Sequence, residues 1–424
     1  MKFEILSPAG SLEKLKWALI YGADAVYFGG EKYNLRANSN NFTIEEIKEA
    51  CEFAHNLNKK VYITVNMIFH NDDLNDLDDY LKSLDEIGVD ALIVSDMAVI
   101  KRMKELNLRV PFHISTQQSS CNKETVKFWE RLGAERVVLA RECSREDIID
   151  IRNNTNVELE AFIHGAMCTS YSGRCVLSNY VTKRDSNRGG CAQVCRFTFD
   201  MEGQDELFSF SCKDLNMVLY AADMVKNGIY SLKIEGRMRS VYYIATVVST
   251  YKKLLNKAFM NNLSEDEINY YMYVLKRCAN RESTPQFYDK FPTENEQYYI
   301  GRKEESNQDF LGVVLSYDNE SKTALIEQRN FFKVGDEIEI FGPDKEAITI
   351  KVTSLVNEEG ESVDAARHPQ EKLYMKVDAN LTPYDILRVK ISWQQIKNIV
   401  SFWLLKREEW KCLTKKYSLL VKVI

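Results

Sequence analysis

The first 240 residues of the chain alternate between strand-like runs and amphipathic helical stretches. Six of the strand-like runs are almost continuously apolar, which is typical of parallel strands covered by helices on both faces. The helical stretches begin after N-cap residues such as Ser11 and Thr43. Eight repeats in about 250 residues predict an α/β fold. They favour a TIM-type (β/α)8 barrel rather than an open doubly wound sheet. The predicted strands are Phe3–Leu6, Ala25–Gly29, Lys60–Asn66, Ala91–Asp96, Phe112–Ser115, Arg136–Arg141, Glu158–Gly165 and Ser231–Arg237.

Polar residues lie where several of the predicted strands end. The carboxyl ends of barrel strands meet at one mouth, where the active sites of such barrels lie, so we expect these side chains to converge. Lys233, Glu235 and Arg237 alternate along one strand and share an inward face, as functional groups or as a salt-bridged layer inside the barrel. His164 has the alternative role of a hydrogen-bonded core histidine. The candidate catalytic residues are His113, Arg141, His164, Lys233, Glu235 and Arg237.

The connection after the seventh predicted strand carries the strongest chemical signal. It is longer than 40 residues and holds four cysteines in a C-x6-C-x15-C-x3-C pattern, Cys168, Cys175, Cys191 and Cys195. The N-terminal MKFEILSPAGS lacks the features of a secretory signal, so we expect a cytoplasmic chain with reduced thiols rather than disulfides. Structural zinc sites usually show closely spaced cysteine pairs, whereas iron–sulfur ligation accepts wider spacing. The pattern favours an iron–sulfur cluster over zinc, with redox-active or unliganded thiols as a third interpretation.

Changes of pattern divide the remaining sequence. A barrel domain is predicted at residues 1–280, with a cysteine-rich insertion at 166–212, and a polar linker at 281–309. Short β segments separated by turn residues predict a small all-β domain, a β-barrel, at 310–391. The segment 392–424 holds three of the five tryptophans and carries a net charge of +5. It is either an amphipathic helix for a partner or membrane surface, or a tail with little fixed structure.

RNA binding would depend on local patches, because the chain as a whole carries a net charge of −6. Lys183, Arg184 and Arg188 lie between the second and third clustered cysteines, although such basic runs are usually solvated surface. Aromatic residues close to them in sequence are suited to stack on an everted base. These aromatic residues are Tyr171, Tyr180, Phe197 and Phe199.

The segment ELEAFIHGAMCTSYSGRCVLSNY at 158–180 resembles the signature of the collagenase-type peptidase family U32. The likeness extends to SPAGSLEKLKWALIYGADAVYFG near the start, to HISTQQS and to SLKIEGRMRS. In the β-rich part, IEQRNFFKVGDEIEIFGP resembles the family's C-terminal domain. The resemblance covers roughly residues 1–390 and does not extend into the basic tail.

The resemblance implies an oxygen-independent hydroxylase with a 4Fe-4S cluster, because better understood members of the family look like such enzymes despite its peptidase name. The chain is most similar to members that form 5-hydroxyuridine at the wobble position of tRNA and depend on prephenate. Other members hydroxylate a ubiquinone precursor or a ribosomal RNA cytidine. The expected partners are therefore tRNA and a small dicarboxylate, with no stable membrane association. The resemblance assigns the cluster to Cys168, Cys175, Cys191 and Cys195, with Cys212 as a substitute for Cys195.

A dicarboxylate needs cationic groups, and Arg offers carboxylates a bidentate geometry, so Arg141, Lys233 and Arg237 are expected to bind it. Two other functions stay open. A peptidase would need an activated nucleophile or a metal-bound water, but the sequence has neither HExxH nor GxSxG, and His113 and His164 are the histidines expected at the mouth. The third function is an RNA-binding or scaffold protein whose cluster is structural.

Overall fold

The structure is a computed structural model, and it describes residues 1–35, 41–200, 202–203, 207–279, 281–298 and 308–392. The described residues form two compact units. The first unit falls within Met1–Asn262 and Cys278–Ser306, and the second within Leu263–Arg277 and Asn307–Ile424. Among the described residues, no helix combines the length and the apolar character needed to span a bilayer.

The first unit is a closed barrel of eight parallel strands, which confirms the predicted fold. Each strand pairs with the next, and the last pairs with both the first and the seventh, closing the ring. Ser231 of the last strand therefore lies opposite both Glu4 and Glu160. The barrel strands are β1 (Glu4–Pro8), β2 (Ala25–Phe28), β3 (Lys60–Val65), β4 (Ala91–Val94), β5 (Phe112–Ile114), β6 (Arg136–Val138), β7 (Glu158–Gly165) and, after two short strands, β10 (Ser231–Ile234).

Helices connect the strands, and side-chain oxygens cap most of the connecting helices. The predicted N-caps are confirmed, because Ser11 and Thr43 accept backbone N–H groups of the first turn of their helices. Thr43 also forms a reciprocal capping box with Glu46. The helices of this unit are α1 (Leu12–Ile20), α2 (Ile44–Asn56), α3 (Leu77–Ile87), α4 (Met97–Glu105), α5 (Lys123–Arg131), α6 (Arg145–Asn154), α7 (Leu177–Thr182), α8 (Ala221–Lys226) and α9 (Val241–Phe259).

The last barrel strand ends three residues earlier than the sequence pattern predicted, so Glu235 and Arg237 lie in the loop that follows β10. The cause is a shift of register against β7 between Lys233 and Ile234. At the end of β7, Gly165 has a φ of 105°, and a Cβ atom there would lie 2.3 Å from the Glu235 carbonyl oxygen. Glycine is therefore required where these two segments pass each other. The expected alternation of the three charged residues along one strand does not continue past Lys233.

The cysteine-rich insertion consists of short elements. It contains α7 and β8 (Ser211–Cys212), and it is followed by β9 (Asp214–Asn216), which pairs antiparallel with the end of β7. Two further short strands, β11 (Ser283–Thr284) and β12 (Gln297–Tyr298), pair with β9 and β8. The described part of the segment predicted as a linker thus contributes strands to the barrel unit.

The second unit is the all-β antiparallel domain that the sequence predicted, with helix α10 (Glu265–Cys278) packed on it. Arg277 of α10 forms an ion pair with Asp309, and Arg388 donates a 2.7 Å hydrogen bond to the Tyr270 hydroxyl. The predicted tail lies outside the described residues beyond Ser392. The strands of this unit are β13 (Phe310–Asp318), β14 (Thr323–Gln328), β15 (Phe332–Lys333), β16 (Glu337–Phe341), β17 (Ile348–Lys351), β18 (Leu355–Val356), β19 (Ser362–Val363), β20 (Ala365–Ala366), β21 (Lys372–Lys376) and β22 (Ile386–Val389).

Candidate active site

Arg141 is the candidate cation at the barrel mouth. It follows β6, and its guanidinium lies 3.7 Å from the ring centroid of Phe162 on the neighbouring strand. Its Nη2 is 3.4 Å from Oε2 of Glu235, a long contact, and its side chain is only 10% exposed. The Nε–H group is buried and has no hydrogen-bond partner among the described residues. A buried donor without a partner costs free energy, so this site is prepared for an acceptor that a ligand would bring.

A second buried polar atom at this end of the barrel also lacks a partner. Asn66 directly follows β3, and among the described residues its Oδ1 atom accepts no hydrogen bond. The backbone carbonyl of Asn66 is in contrast fixed, because the Ser95 hydroxyl donates to it at 2.7 Å. Asn66 and Arg141 therefore offer an acceptor and a donor past the carboxyl ends of two barrel strands. Asn66 is the last residue of a predicted strand, and it is not among the catalytic residues that the sequence predicts.

Arg237 joins two loops at the same end of the barrel. Its guanidinium is buried and donates to Oδ1 of Asn34 at 3.3 Å and to Oδ1 of Asn41, both in the connection after β2. Its backbone carbonyl passes so close to Gly10 that a Cβ atom there would lie 2.1 Å from the oxygen. Arg237 thus organises the loops around the mouth in this structure.

Lys233 belongs to an ionic network inside the barrel. Its Nζ is 2.8 Å from Oε1 of Glu160, and the other oxygen of Glu160 is 3.0 Å from Nη1 of Arg136. Arg136 also pairs with Glu4 at 2.7 Å. Burial alone would raise the pKa of Glu160, but Lys233 and Arg136 lower it to about 2, so the carboxylate stays ionised. For Lys233, the geometry matches the salt-bridged layer that the sequence offered as an alternative.

His113 lies away from the mouth, contrary to the expected position. Its Nε2 is 3.1 Å from Oε2 of Glu135, which directly precedes β6, and its ring contacts Tyr62, whose hydroxyl donates to Glu4 at the start of β1. These partners lie at the amino-terminal end of the barrel. Burial lowers the pKa of His113, so the imidazole is neutral at neutral pH. Alternation along β5 shows which face a residue occupies, but its height in the barrel depends on strand stagger.

His164 packs against helix α9. Its Nδ1 is 3.3 Å from the hydroxyl of Tyr251, and its ring centroid is 5.9 Å from that of Tyr243. Burial, followed by the charge of Arg239, lowers the pKa of His164 to about 3. This environment corresponds to the hydrogen-bonded core histidine, the alternative that the sequence left open.

Two residues, Arg188 and Ser172, attach the insertion to loops at the carboxyl ends of the strands. Arg188 pairs with Asp73 and donates to the Ile68 carbonyl at 2.8 Å, both in the connection after β3. Ser172 donates through its backbone N–H and its hydroxyl to Glu142, which follows β6, at 2.6 and 2.7 Å. The insertion therefore spans the mouth side of the barrel.

The clustered thiols lie close enough to influence one another. Burial raises the pKa of Cys168, Arg141 opposes the shift, and Cys175 and Cys191 add to it. Burial, together with neighbouring thiols including Cys168 and Cys212, raises the pKa of Cys195 to about 11. The contacts of Ser172 with Glu142 and of Arg188 with Asp73 place the segment that carries these thiols on the mouth side.

The donors in the insertion are thiols, the ligand type that iron–sulfur clusters use. Among the described residues, no three His, Cys, Asp or Glu side chains converge in a way that would hold one metal ion. The thiolates of a 4Fe-4S cluster each bind a different iron and stand farther apart than the ligands of one ion. A crowded, partly buried group of thiols also needs positive charge to ionise, which bound iron supplies. Cys212 is buried as well, and it contributes to the raised pKa of Cys195, so a fifth thiol belongs to this group.

Apart from the clustered thiols, a pair of thiols on the mouth side was missed by sequence reasoning. Cys121 follows β5 and Cys143 follows β6, and their sulfurs share a hydrogen bond. The Cys121 sulfur also lies 3.2 Å from the Tyr171 hydroxyl of the insertion. The hydrogen bond from Cys143 and then that from Tyr171 outweigh partial burial and lower the pKa of Cys121 to about 7. The sequence signal that could have revealed this pair is that both cysteines follow the ends of predicted strands.

Comparisons with known proteins give a consistent result. The model of peptidase family U32 matches residues 10–298, and that of the family's C-terminal domain matches residues 306–388. The chain is 44% identical to the tRNA hydroxylation protein P1 of Bacillus subtilis, over 91% of this chain and 94% of that protein. It is 36% identical to a 23S rRNA 5-hydroxycytidine synthase of Escherichia coli, over 60% of this chain and 39% of that protein. A collagenase of Porphyromonas gingivalis is 31% identical over 91% of this chain and 97% of its own length.

Proposed function

The chain belongs to peptidase family U32, and from this membership we propose that it is an enzyme that hydroxylates RNA. The observation that carries the proposal is the 44% identity, over nearly the full length of both chains, to a protein named for tRNA hydroxylation. An rRNA hydroxycytidine synthase among the relatives supports the same class of reaction. The finer proposal is the formation of 5-hydroxyuridine at a tRNA wobble position, in the cytoplasm.

We further propose that Cys168, Cys175, Cys191 and Cys195 hold a 4Fe-4S cluster, with Cys212 in place of Cys195 as the alternative set. Such a cluster would supply electron transfer at the barrel mouth. The support is the group of mutually influencing thiols beside Arg141. Burial raises the pKa of Cys168 and of Cys195, so iron binding would have to displace protons from these two thiols.

Replacement of a base hydrogen by a hydroxyl group is an oxidation, and without molecular oxygen the oxygen atom needs another donor. We propose a small dicarboxylate, prephenate, in this role. A C–O bond of the donor would break as the new C–O bond to the base forms, the base hydrogen would pass to the donor, and the donor would be reduced by the two electrons that the base loses. Among the described residues, the Nε–H of Arg141 has no hydrogen-bond partner, so it is available to a carboxylate of the ligand. The side-chain oxygen of Asn66 offers an acceptor for a hydroxyl group of the ligand. Arg237 would contribute by holding its two loops, and Lys233 is already neutralised by Glu160.

Proteolysis is the second candidate because a collagenase is among the relatives. The geometry does not favour it. Nucleophilic catalysis needs a base within hydrogen-bond reach of a serine or cysteine. In the described parts of the chain, the ring nitrogens of His55, His113 and His164 contact Asp90, Glu135 and Tyr251.

Mass spectrometry of tRNA nucleosides from a deletion strain tests the proposal. We expect 5-hydroxyuridine and its derivatives to disappear and to return with the wild-type gene. Cys175→Ala should fail to restore them and should yield a protein without the absorption near 400 nm that an iron–sulfur cluster gives. Arg237→Ala should keep that absorption and restore less product. Unchanged nucleosides in the deletion strain would contradict the proposed reaction.

A further inference from the structure

We propose that the insertion carries a stacking platform for an unpaired stretch of RNA, formed by Val176, Tyr180, Lys183, Arg184 and Phe197. The proposal rests on the RNA substrate proposed above and adds the surface that receives it. No part of the mouth or of the thiol group is included in this surface.

The platform exposes apolar side chains that a folded chain usually covers. Tyr180 of α7 is 83% exposed and Phe197 is 44% exposed, and Val176 is exposed as well. Val176 and Tyr180 are four residues apart across the first turn of α7 and share one face of it. The chain leaves the helix at Lys183, which has a φ of 56°, so Lys183 and Arg184 directly follow the end of α7. Phe197 directly follows the 3₁₀ helix Val194–Arg196, which packs against α7. Clustered exposed apolar residues of this kind usually mark an interaction surface.

The charge around the platform is the opposite of that of the chain. Residues 171–197 contain five basic residues and one acidic residue, a net charge of +4, whereas the whole chain carries −6. Arg188 is committed to its ion pair with Asp73. Lys183 and Arg184 are exposed, and neither forms an ion pair with another described residue. Two cations are therefore available to phosphates beside the exposed rings.

Unpaired RNA is the occupant that fits this combination. Aromatic side chains can stack on bases only where the bases are not already stacked in a duplex, and adjacent cations follow the phosphate backbone. The chain's own segment 392–424 carries a net charge of +5, so the platform would repel it. An apolar protein partner would not need the two cations.

The anchors of the insertion place the platform on the mouth side. The backbone of Cys175, one residue before Val176, is held by Asn187, whose Nδ2 donates to the Cys175 carbonyl at 2.9 Å. Asn187 precedes Arg188, which is fixed to the connection after β3. A strand of RNA held on the platform would therefore lie beside the mouth that is proposed to act on one of its bases.

Equilibrium binding of a single-stranded, uridine-containing RNA and of the corresponding duplex tests the platform. We expect Tyr180→Ala to weaken single-strand binding about tenfold without changing its salt dependence, because it removes one stacking surface. In a plot of log affinity against log salt concentration, the double variant K183A/R184A should make the slope about 1.4 less steep, because it removes two phosphate contacts. Neither effect should appear in Phe291→Ala, which alters a side chain that is also 83% exposed, or in K48A/K101A.

The outcomes separate the platform from the proposed function. If the wild type binds RNA and restores hydroxylation in cells, but Tyr180→Ala binds single-stranded RNA as tightly as the wild type, the platform is wrong and the function stands. Equal losses in Tyr180→Ala and Phe291→Ala would also overturn it. So would a Tyr180→Ala variant that loses self-association on gel filtration while keeping its RNA affinity, because the surface would then be a contact between copies. Absence of both RNA binding and hydroxylation in the wild type would contradict the function itself.

Discussion

The interior of the barrel and its mouth use the same residue types in opposite ways. In the interior, the guanidinium of Arg136 is completely buried and contacts Glu4, Glu158 and Glu160 at 2.7 to 3.0 Å. At the mouth, Arg141 is almost as buried, but its Nε–H has no partner among the described residues. The comparison teaches that burial of an arginine does not reveal its role. The contacts of Arg136 are all made inside the barrel, whereas Arg141 at the mouth keeps a donor that a ligand could use.

Arg136→Met should produce the largest change in stability. It would remove the cation that pairs with the buried Glu4 and one of the two cations that pair with the buried Glu160. Loss of one partner of a buried ionic network costs roughly 3–5 kcal/mol. Urea unfolding should therefore show a much lower free energy of unfolding for Arg136→Met than for Arg141→Met. If the two variants had equal stability, or the order were reversed, the distinction between interior and mouth would fail.

Arg141→Gln should affect catalysis and leave the fold nearly unchanged. Loss of a charge-assisted contact to a carboxylate is worth about 2–3 kcal/mol, so kcat/KM for the dicarboxylate should fall roughly 30- to 150-fold. The measurement is steady-state hydroxylation at varied dicarboxylate concentration, with absorbance near 400 nm as the control for an intact cluster. Wild-type kinetics in this variant would remove Arg141 from the site.

Acid unfolding tests the carboxylate Glu160 of the interior network, whereas Arg136→Met tests one of its cations. The pKa of Glu160 is lowered from 4.5 to about 2, since Lys233 and Arg136 overcome the effect of burial. A carboxylate whose pKa is lower in the folded state stabilises the fold above its unfolded pKa, and this contribution is lost as the pH falls. We expect Glu160 to contribute about 3 kcal/mol that disappears between about pH 4.5 and pH 2. Lys233→Met should be less stable at neutral pH and should show a shallower loss across this range.

The smallest predicted effect concerns the reactivity of Cys121. The hydrogen bond from Cys143 and then that from Tyr171 lower its pKa to about 7, whereas an ordinary thiol has a pKa near 8.5. At neutral pH, iodoacetamide should therefore modify Cys121 several-fold faster in the wild type than in Cys143→Ala or Tyr171→Phe. Mass spectrometry of peptides measures both rates, and equal rates would show that the mouth-side thiol pair does not form.

The fold was predictable because its signals are local. Eight strand-like runs separated by helical stretches predicted the barrel, and the capping oxygens of Ser11 and Thr43 marked where two helices begin. Compact placement of the four cysteines in one connection was visible as well. These features depend on residues that are near one another in the sequence.

The parts of the site that sequence reasoning missed depend on distant strands. Whether His113 lies at the mouth or at the other end is decided by the stagger between strands, which no local pattern records. The partners of Arg136 come from residues 4, 158 and 160, so its role could not be inferred from its neighbours in sequence. The early end of β10 follows from a register shift against β7, and this shift places Glu235 and Arg237 in a loop.

Anaerobic reconstitution with purified protein tests the central claim most directly. The wild-type chain is loaded with iron and sulfide and incubated with unmodified tRNA and prephenate, and the tRNA is then analysed for 5-hydroxyuridine by mass spectrometry. We predict product from the wild type, none from Cys175→Ala, and strongly reduced product from Arg141→Gln with its cluster absorption intact. Full product from Arg141→Gln and Cys175→Ala, or none from a wild-type protein with a complete cluster, would contradict the assignment of the barrel mouth as the hydroxylation site.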